Sequence, residues 1–198
     1  MVNDLNSEYW NNRYLKKEFS WDVGEVSTPL KKYFDQLTSK EIIILIPGAG
    51  NAYEAEYLFD KGFKNVYVCE ISEVAIRNFL ERCKRFDPGH VLKSDFFELQ
   101  NIKFDLVIEQ TFFCALEPSL RQQYFEKMCE ILKPGGKLIG LFFDDALNND
   151  KPPFGGDKAE YLSYIKPPFK IKTFETAYNS IKPRAGRELF INLELGID

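Results

Sequence analysis

The chain holds one histidine among its 198 residues, His90, and its sequence contains neither a catalytic-triad pattern nor a clustered set of metal ligands. Chemistry driven by a histidine base or by a metal-bound water therefore has little to draw on. His90 falls at the start of a short apolar run, where an imidazole is most simply a surface residue. The cysteines Cys69, Cys83, Cys114 and Cys129 are too widely spaced for a two-residue-gap zinc pair and too few for a dense disulfide scaffold. They read as reduced thiols that serve packing. No basic run is present, and 26 Lys plus Arg against 30 Asp plus Glu leave a net charge of −4, so no nucleic-acid partner is expected. Apolar stretches fall short of the roughly 18 residues that a membrane span needs, and the opening "MVNDLNSEYW" lacks the apolar centre of a signal peptide. The expectation is a soluble, cytoplasmic protein with no membrane partner; the oligomeric state is not legible. Internal repeats and low-complexity tracts are also missing.

What is present is an alternation. Apolar runs of strand length stand at 42–46, 66–71, 90–93, 104–109 and 137–143. Before the last of these lies "PSLRQQYFEKMCEILKPGG", in which Leu120, Tyr124, Met128, Ile131 and Leu132 recur along one helical face. Pro134, Gly135 and Gly136 are placed to stop that helix and turn the chain into the next strand. Strands alternating with helices at this spacing predict a doubly wound α/β fold, Rossmann-like, with a parallel sheet covered by helices on both faces. After residue 145 come a Pro/Gly/Asp-rich loop, a short helix near 159–165 and strand-like runs at 169–178 and 188–195. These complete a seven-stranded, mostly parallel sheet with an antiparallel C-terminal strand. With 44% hydrophobic residues, 1–198 suits one domain, in which residues 1–38 form a helical N-terminal cover.

In such sheets ligands sit beyond the carboxyl ends of the strands, where the strand order reverses. The first run ends in "ILIPGAG", so Gly48 and Gly50 are placed to meet a ligand. A dinucleotide fingerprint would require a third glycine where this chain has Tyr53, so that match is incomplete. The second strand closes on "VYVCEIS", whose Glu70 suits the diol of a ribose, although an acid at a strand end also has the plainer reading of an exposed charge. Ser72 behind it is a helix-capping residue. The third strand closes on "KSDFFEL": Asp95 beside Phe96 and Phe97 suits an adenine amine and ring, or simply a capped turn.

Gly48, Gly50, Glu70 and Asp95 fall in order at successive strand ends. This order, with "LKPGGKLIGL" ahead of the fifth strand, resembles the class I methyltransferases that use S-adenosyl-L-methionine. The segments "YWNNRYLKKEFSWDVGEVSTPL", "FDLVIEQTFFCALEPSLRQQY" and "KPPFGG" resemble the thiopurine S-methyltransferase family, and within it the plant-type thiol, thiocyanate and halide methyltransferases. The resemblance implies an enzyme in which Trp10, Tyr14 and Trp21 fold over the cofactor, their ring faces attracting its sulfonium. It implies further cofactor contacts at Gly48, Glu70, Asp95, Phe96 and Gln110, the last where relatives carry arginine or tyrosine. It also implies an apolar pocket for a small-molecule acceptor, with Trp21, Phe112, Phe113 and Phe154 as candidate walls, each of which has a second reading as plain core.

Methyl transfer to a soft anion demands alignment and no proton removal, which suits a chain with no assigned acid or base and no metal. Glu109 is the one carboxylate to consider as a base, and its alternative is a structural partner of the N-terminal segment. The expected activity is S-methylation of a small thiol, with thiocyanate, halide or thiopurine also possible acceptors. Two alternatives stay open: a nicotinamide-dependent oxidoreductase on a similar sheet, and a non-catalytic binding protein of the same fold.

Overall fold

The computed structural model describes residues 5–196. Two helices, α1 (Ser7–Leu15) and α2 (Thr28–Phe34), precede the first strand. Strands β1 (Ile43–Pro47), β2 (Asn65–Cys69) and β3 (Val91–Leu92) then alternate with α3 (Tyr53–Asp60) and α4 (Glu73–Arg82). The chain returns through β4 (Phe104–Gln110), α5 (Arg121–Ile131) and β5 (Leu132–Phe143), and ends with α6 (Lys158–Tyr164), β6 (Phe169–Thr176) and β7 (Glu188–Leu195). All seven strands join one sheet in the order β3-β2-β1-β4-β5-β7-β6. Pairings from β3 to β5 are parallel, whereas β7 runs antiparallel to both β5 and β6. The expected fold class is the one observed.

Alternation along the strands builds a core on each face. Ile44, Ile46, Leu106 and Ile108 pack with Leu30, Ala55, Leu58 and Phe79 from α2, α3 and α4. Leu45 and Val107 point the other way, toward Tyr124, Phe125 and Met128 of α5 and Tyr161 of α6. Ser72 caps α4, its side chain accepting from the Ala75 amide at 3.2 Å.

One boundary differs from the sequence reading. Helix α5 ends at Ile131, ahead of the Pro-Gly-Gly segment, and Leu132 already lies opposite Phe104. Pro134 disfavours helical backbone at the residue before it, and Leu132 is buried, so the chain turns extended early. The segment expected to reverse the chain instead lies within β5, where the pairing with β4 shifts register between Phe104 and Leu106.

The chain moves outward from β1 to β3 and then returns to β4 on the other side of β1. That makes the carboxyl ends of β1 and β4 the switch point, where the loops after the two strands diverge and leave a crevice. No helix among the described residues is long and apolar enough to cross a membrane.

Candidate active site

A cavity of about 540 Å³ opens at this switch point, bounded by the loops after β1 to β4, by the N-terminal segment and by Pro152 and Pro153. At its floor Gly48 and Gly50 both have φ of +54°, a left-handed conformation that glycine adopts without a Cβ penalty. A Cβ at Gly48 would collide with the ring of Phe112, and one at Gly50 with the Tyr14 hydroxyl. The space a side chain would take is thus filled by the protein itself: the glycines let the N-terminal cover and the loop after β4 close onto the turn.

Glu70 is buried at the end of β2 and accepts hydrogen bonds from the Gly50 amide and the Ser72 amide, both at 2.8 Å. Burial pushes its carboxyl above the ordinary range, and the backbone amides oppose that rise. A carboxylate has about four acceptor positions, so acceptor capacity remains beside the cavity that Glu70 lines. Asp95 both caps a turn and borders the cavity. One oxygen accepts from the Phe97 amide at 2.8 Å and caps a 3-10 turn at Phe96–Glu98, while the residue also lines the cavity. The ring of Phe96 packs inward, edge-on to Phe112 with centroids 5.3 Å apart.

The cover is docked by polar contacts. Asn11 Oδ1 accepts from Ser72 Oγ at 2.8 Å and from the Val74 amide at 3.2 Å, and Ser7 Oγ donates to the Ile71 carbonyl at 2.8 Å. These bonds tie α1 to the start of α4 and turn Trp10 and Tyr14, one helical turn apart, over the cavity. Trp21 stands edge-on to both, with centroids 5.7 Å and 6.2 Å away. Its carbonyl accepts from buried Arg184, which is paired in turn with buried Glu188 at 3.1 Å. Beyond Trp21, Asp22 also lines the cavity and accepts from the Gly24 amide at 2.6 Å and from Asn51 Nδ2 at 2.5 Å, joining the cover to the glycine turn.

The end of β4 supplies the remaining wall. Gln110 lines the cavity, and its Oε1 is buried without a hydrogen-bond partner among the described residues. Thr111 follows with φ of +57°, a conformation a β-branched residue rarely adopts. Glu109 faces away from the cavity and is fully buried. Its Oε1 accepts from the Phe112 and Phe113 amides at 2.9 and 3.0 Å, and its Oε2 from the Tyr124 hydroxyl at 3.1 Å. Burial pushes its carboxyl up to about 7, the three donors pulling the other way. It is the latch of the loop after β4, and its partners lie in that loop and α5 instead of the N-terminal segment.

Two expected pocket walls require correction. Phe113 is core: its ring stacks on Phe142 with centroids 4.3 Å apart and 13° between planes. Phe154 is buried and does not line the cavity, although its amide fastens to the Cys114 carbonyl at 2.7 Å. Of the four expected walls, Trp21 and Phe112 border the cavity, joined by Pro152 and Pro153 of the KPPFGG loop and by Leu116 and Leu120, which sequence reasoning did not single out. Of "KPPF", the two prolines border the cavity and the phenylalanine does not. Leu116 and Leu120 carried no signal that set them apart from core.

The sequence model of a family described as thiopurine S-methyltransferase matches residues 5–190. A probable thiol methyltransferase 2 from Arabidopsis thaliana is 27% identical over 193 residues, spanning 95% of this chain and 85% of that protein. Thiocyanate methyltransferase 1 from Brassica oleracea is 30% identical over 177 residues, spanning 85% and 76%. Among solved structures, a Burkholderia thailandensis 1,6-didemethyltoxoflavin-N1-methyltransferase with bound S-adenosylhomocysteine superimposes with a TM-score of 0.76 at 15% identity, covering 97% of this chain and 87% of that one. A magnesium protoporphyrin IX methyltransferase from Synechocystis, also with S-adenosylhomocysteine bound, gives 0.71 at 13% identity, with 96% and 97% covered. At these identities the structural likeness speaks for the fold.

Proposed function

The chain belongs to the thiopurine S-methyltransferase family and is an S-adenosylmethionine-dependent methyltransferase; from that premise we propose that its switch-point cavity methylates the sulfur of a small thiol, with thiocyanate or halide as lesser acceptors. The observation that carries this is Glu70, which is held by the Gly50 and Ser72 amides and keeps acceptor positions beside the cavity. Those positions suit a ribose diol. The second oxygen of Asp95 suits an adenine amine, and the faces of Trp10, Tyr14 and Trp21 suit a sulfonium. Backbone at Gly48 and Gly50, the Phe96 segment and Gln110, where the cofactor side meets the acceptor side, complete the cofactor's surroundings in this reading.

Bound S-adenosyl-L-methionine, held by Glu70, Asp95 and the faces of Trp10, Tyr14 and Trp21, would supply an electrophilic methyl carbon to the acceptor sulfur, with a neutral thioether as the leaving group. The chain's own residues position and shield. Phe112 and Trp21 confine the acceptor, and the cover limits water, which favours the joining of opposite charges. Glu109 is committed to the loop it holds, so the thiol proton goes to solvent before transfer.

The test is an acceptor panel of thiols, thiocyanate, iodide and a thiopurine with labelled cofactor, scored by methylated product. Transfer to thiols is expected, along with thermal stabilisation by S-adenosylhomocysteine and none by NADH. Tight binding of S-adenosylhomocysteine with no product from any acceptor would refute the reading.

A further inference from the structure

The cavity is asymmetric in charge. Six carboxylates border it, Asp22, Glu25, Glu54, Glu70, Asp95 and Glu117, and no lysine, arginine or histidine among the described residues does. Guanidinium groups on neighbouring elements are engaged elsewhere: Arg82 pairs with Glu56, Arg121 with Glu160 and Arg184 with Glu188. The two sides of the cavity use this charge differently. Toward β1, β2 and β3, Glu70 and Asp95 are tied to main-chain amides. Toward β4 and β5, the wall is mainly Phe112, Leu116, Leu120, Pro152 and Pro153, with Gln110, Thr111 and Glu117 among its polar residues.

We propose that this second side selects thiols whose body is uncharged and apolar, excludes thiols that carry a carboxylate, and has Gln110 as the residue that sets the preference. The inference rests on the methyl-transfer reading above and narrows its substrate class. One negative charge, on the reacting sulfur, is offset by the cofactor's sulfonium. A second charge, on the acceptor's body, would be desolvated against aliphatic side chains with no cation to pair, beside the carboxylate of Glu117 and the uncharged side chain of Gln110. Burying an unpaired carboxylate is among the costliest placements in a protein. Hydrocarbon in the same place is matched by the four aliphatic side chains.

The deciding measurement compares 4-mercaptobenzoate with its methyl ester, two aryl thiols that differ chiefly in a charge at the far end. Rates with labelled cofactor are corrected for the fraction of each thiol ionised. The ester is expected to exceed the acid in kcat/KM by about 100-fold, most of it in KM. Gln110→Arg should bring that ratio below about tenfold by giving the carboxylate a partner. Leu116→Lys makes the same test from another position on that side if the first variant does not fold. A wild-type ratio near one, or a preference for the acid, overturns the proposal and leaves methyl transfer standing; a ratio unmoved in both variants overturns the assignment to Gln110. Failure of both compounds and of thiophenol, with S-adenosylhomocysteine still bound, overturns the methyl-transfer reading and this proposal together.

Discussion

The two sides of the cavity are held in opposite ways. Toward β1, β2 and β3 the polar groups are fixed by main chain: Glu70 by the amides of Gly50 and Ser72, and Asp95 by the amide of Phe97. Toward β4 the wall is a loop of side chains fastened from behind, where one oxygen of Glu109 accepts from two successive amides and the other from Tyr124. The first arrangement is set once the strands are paired, because each group sits at a strand end. The second depends on a buried latch and on which way consecutive side chains turn. A constant ligand suits the first and a variable acceptor the second, as expected when a rigid scaffold presents adaptable loops.

Glu70→Ala makes the largest break in the first side. It removes the proposed ribose acceptor and leaves the Gly50 and Ser72 amides without their partner, so affinity for S-adenosylhomocysteine should fall by at least about 100-fold. The readout is intrinsic fluorescence, since both tryptophans of the chain, Trp10 and Trp21, line the cavity. Retention of affinity within about threefold would remove Glu70 from the cofactor site.

Phe112→Ser tests the other side. Phe112 borders the cavity and packs on Phe96 and Tyr124, so its loss should lower kcat/KM for a thiol by about 30-fold and cofactor affinity by less than about fivefold. Equal losses would mean that the two sides do not divide the labour as proposed.

Much of this division was legible in the sequence, and the reason is geometric. A strand alternates sides and stops at a turn, so Gly48, Glu70, Asp95 and Gln110 could be placed on one rim without coordinates. Trp10 and Tyr14, four residues apart on a helix, share a face for the same kind of reason. The 3-10 turn at Phe113–Ala115 follows no such rule. Phe112 and Phe113 are adjacent and chemically identical, yet one borders the cavity and the other stacks on Phe142. Their amides share the same Glu109 oxygen, a contact that sequence does not announce. The early end of α5 was hidden too, because a glycine pair reads as a helix stop whether the helix has just ended or ended several residues before.

The latch itself has a pH signature. The Glu109 carboxyl lies near 7 in the folded chain against an ordinary 4.5, so the folded state binds more protons than the unfolded state between those values. Stability from this group is therefore present below the window and is lost as pH rises through it. Glu109→Gln cannot ionise, so wild-type stability relative to the variant should fall by about 3 kcal/mol across that interval in urea denaturation. A difference that stays flat, or grows with pH, would show that the loop is latched by a carboxylate ionised throughout.

The smallest effect is expected at Thr111, where the loop leaves β4. A β-branched residue at φ of +57° is strained by about 1–2 kcal/mol, and glycine avoids that strain while adding freedom to the unfolded chain. Thr111→Gly should therefore raise the unfolding free energy by about 0.5–1 kcal/mol, because relief outweighs the added entropy. Glycine also gives this turn more backbone freedom where the Thr111 carbonyl accepts from Cys114 Sγ at 3.3 Å, so the same change should loosen the start of the acceptor wall and lower kcat for a thiol while cofactor affinity holds. A more stable and slower enzyme would place the strain in the service of the acceptor side; a destabilised one would mean that this turn is held by the threonine side chain and not imposed on it.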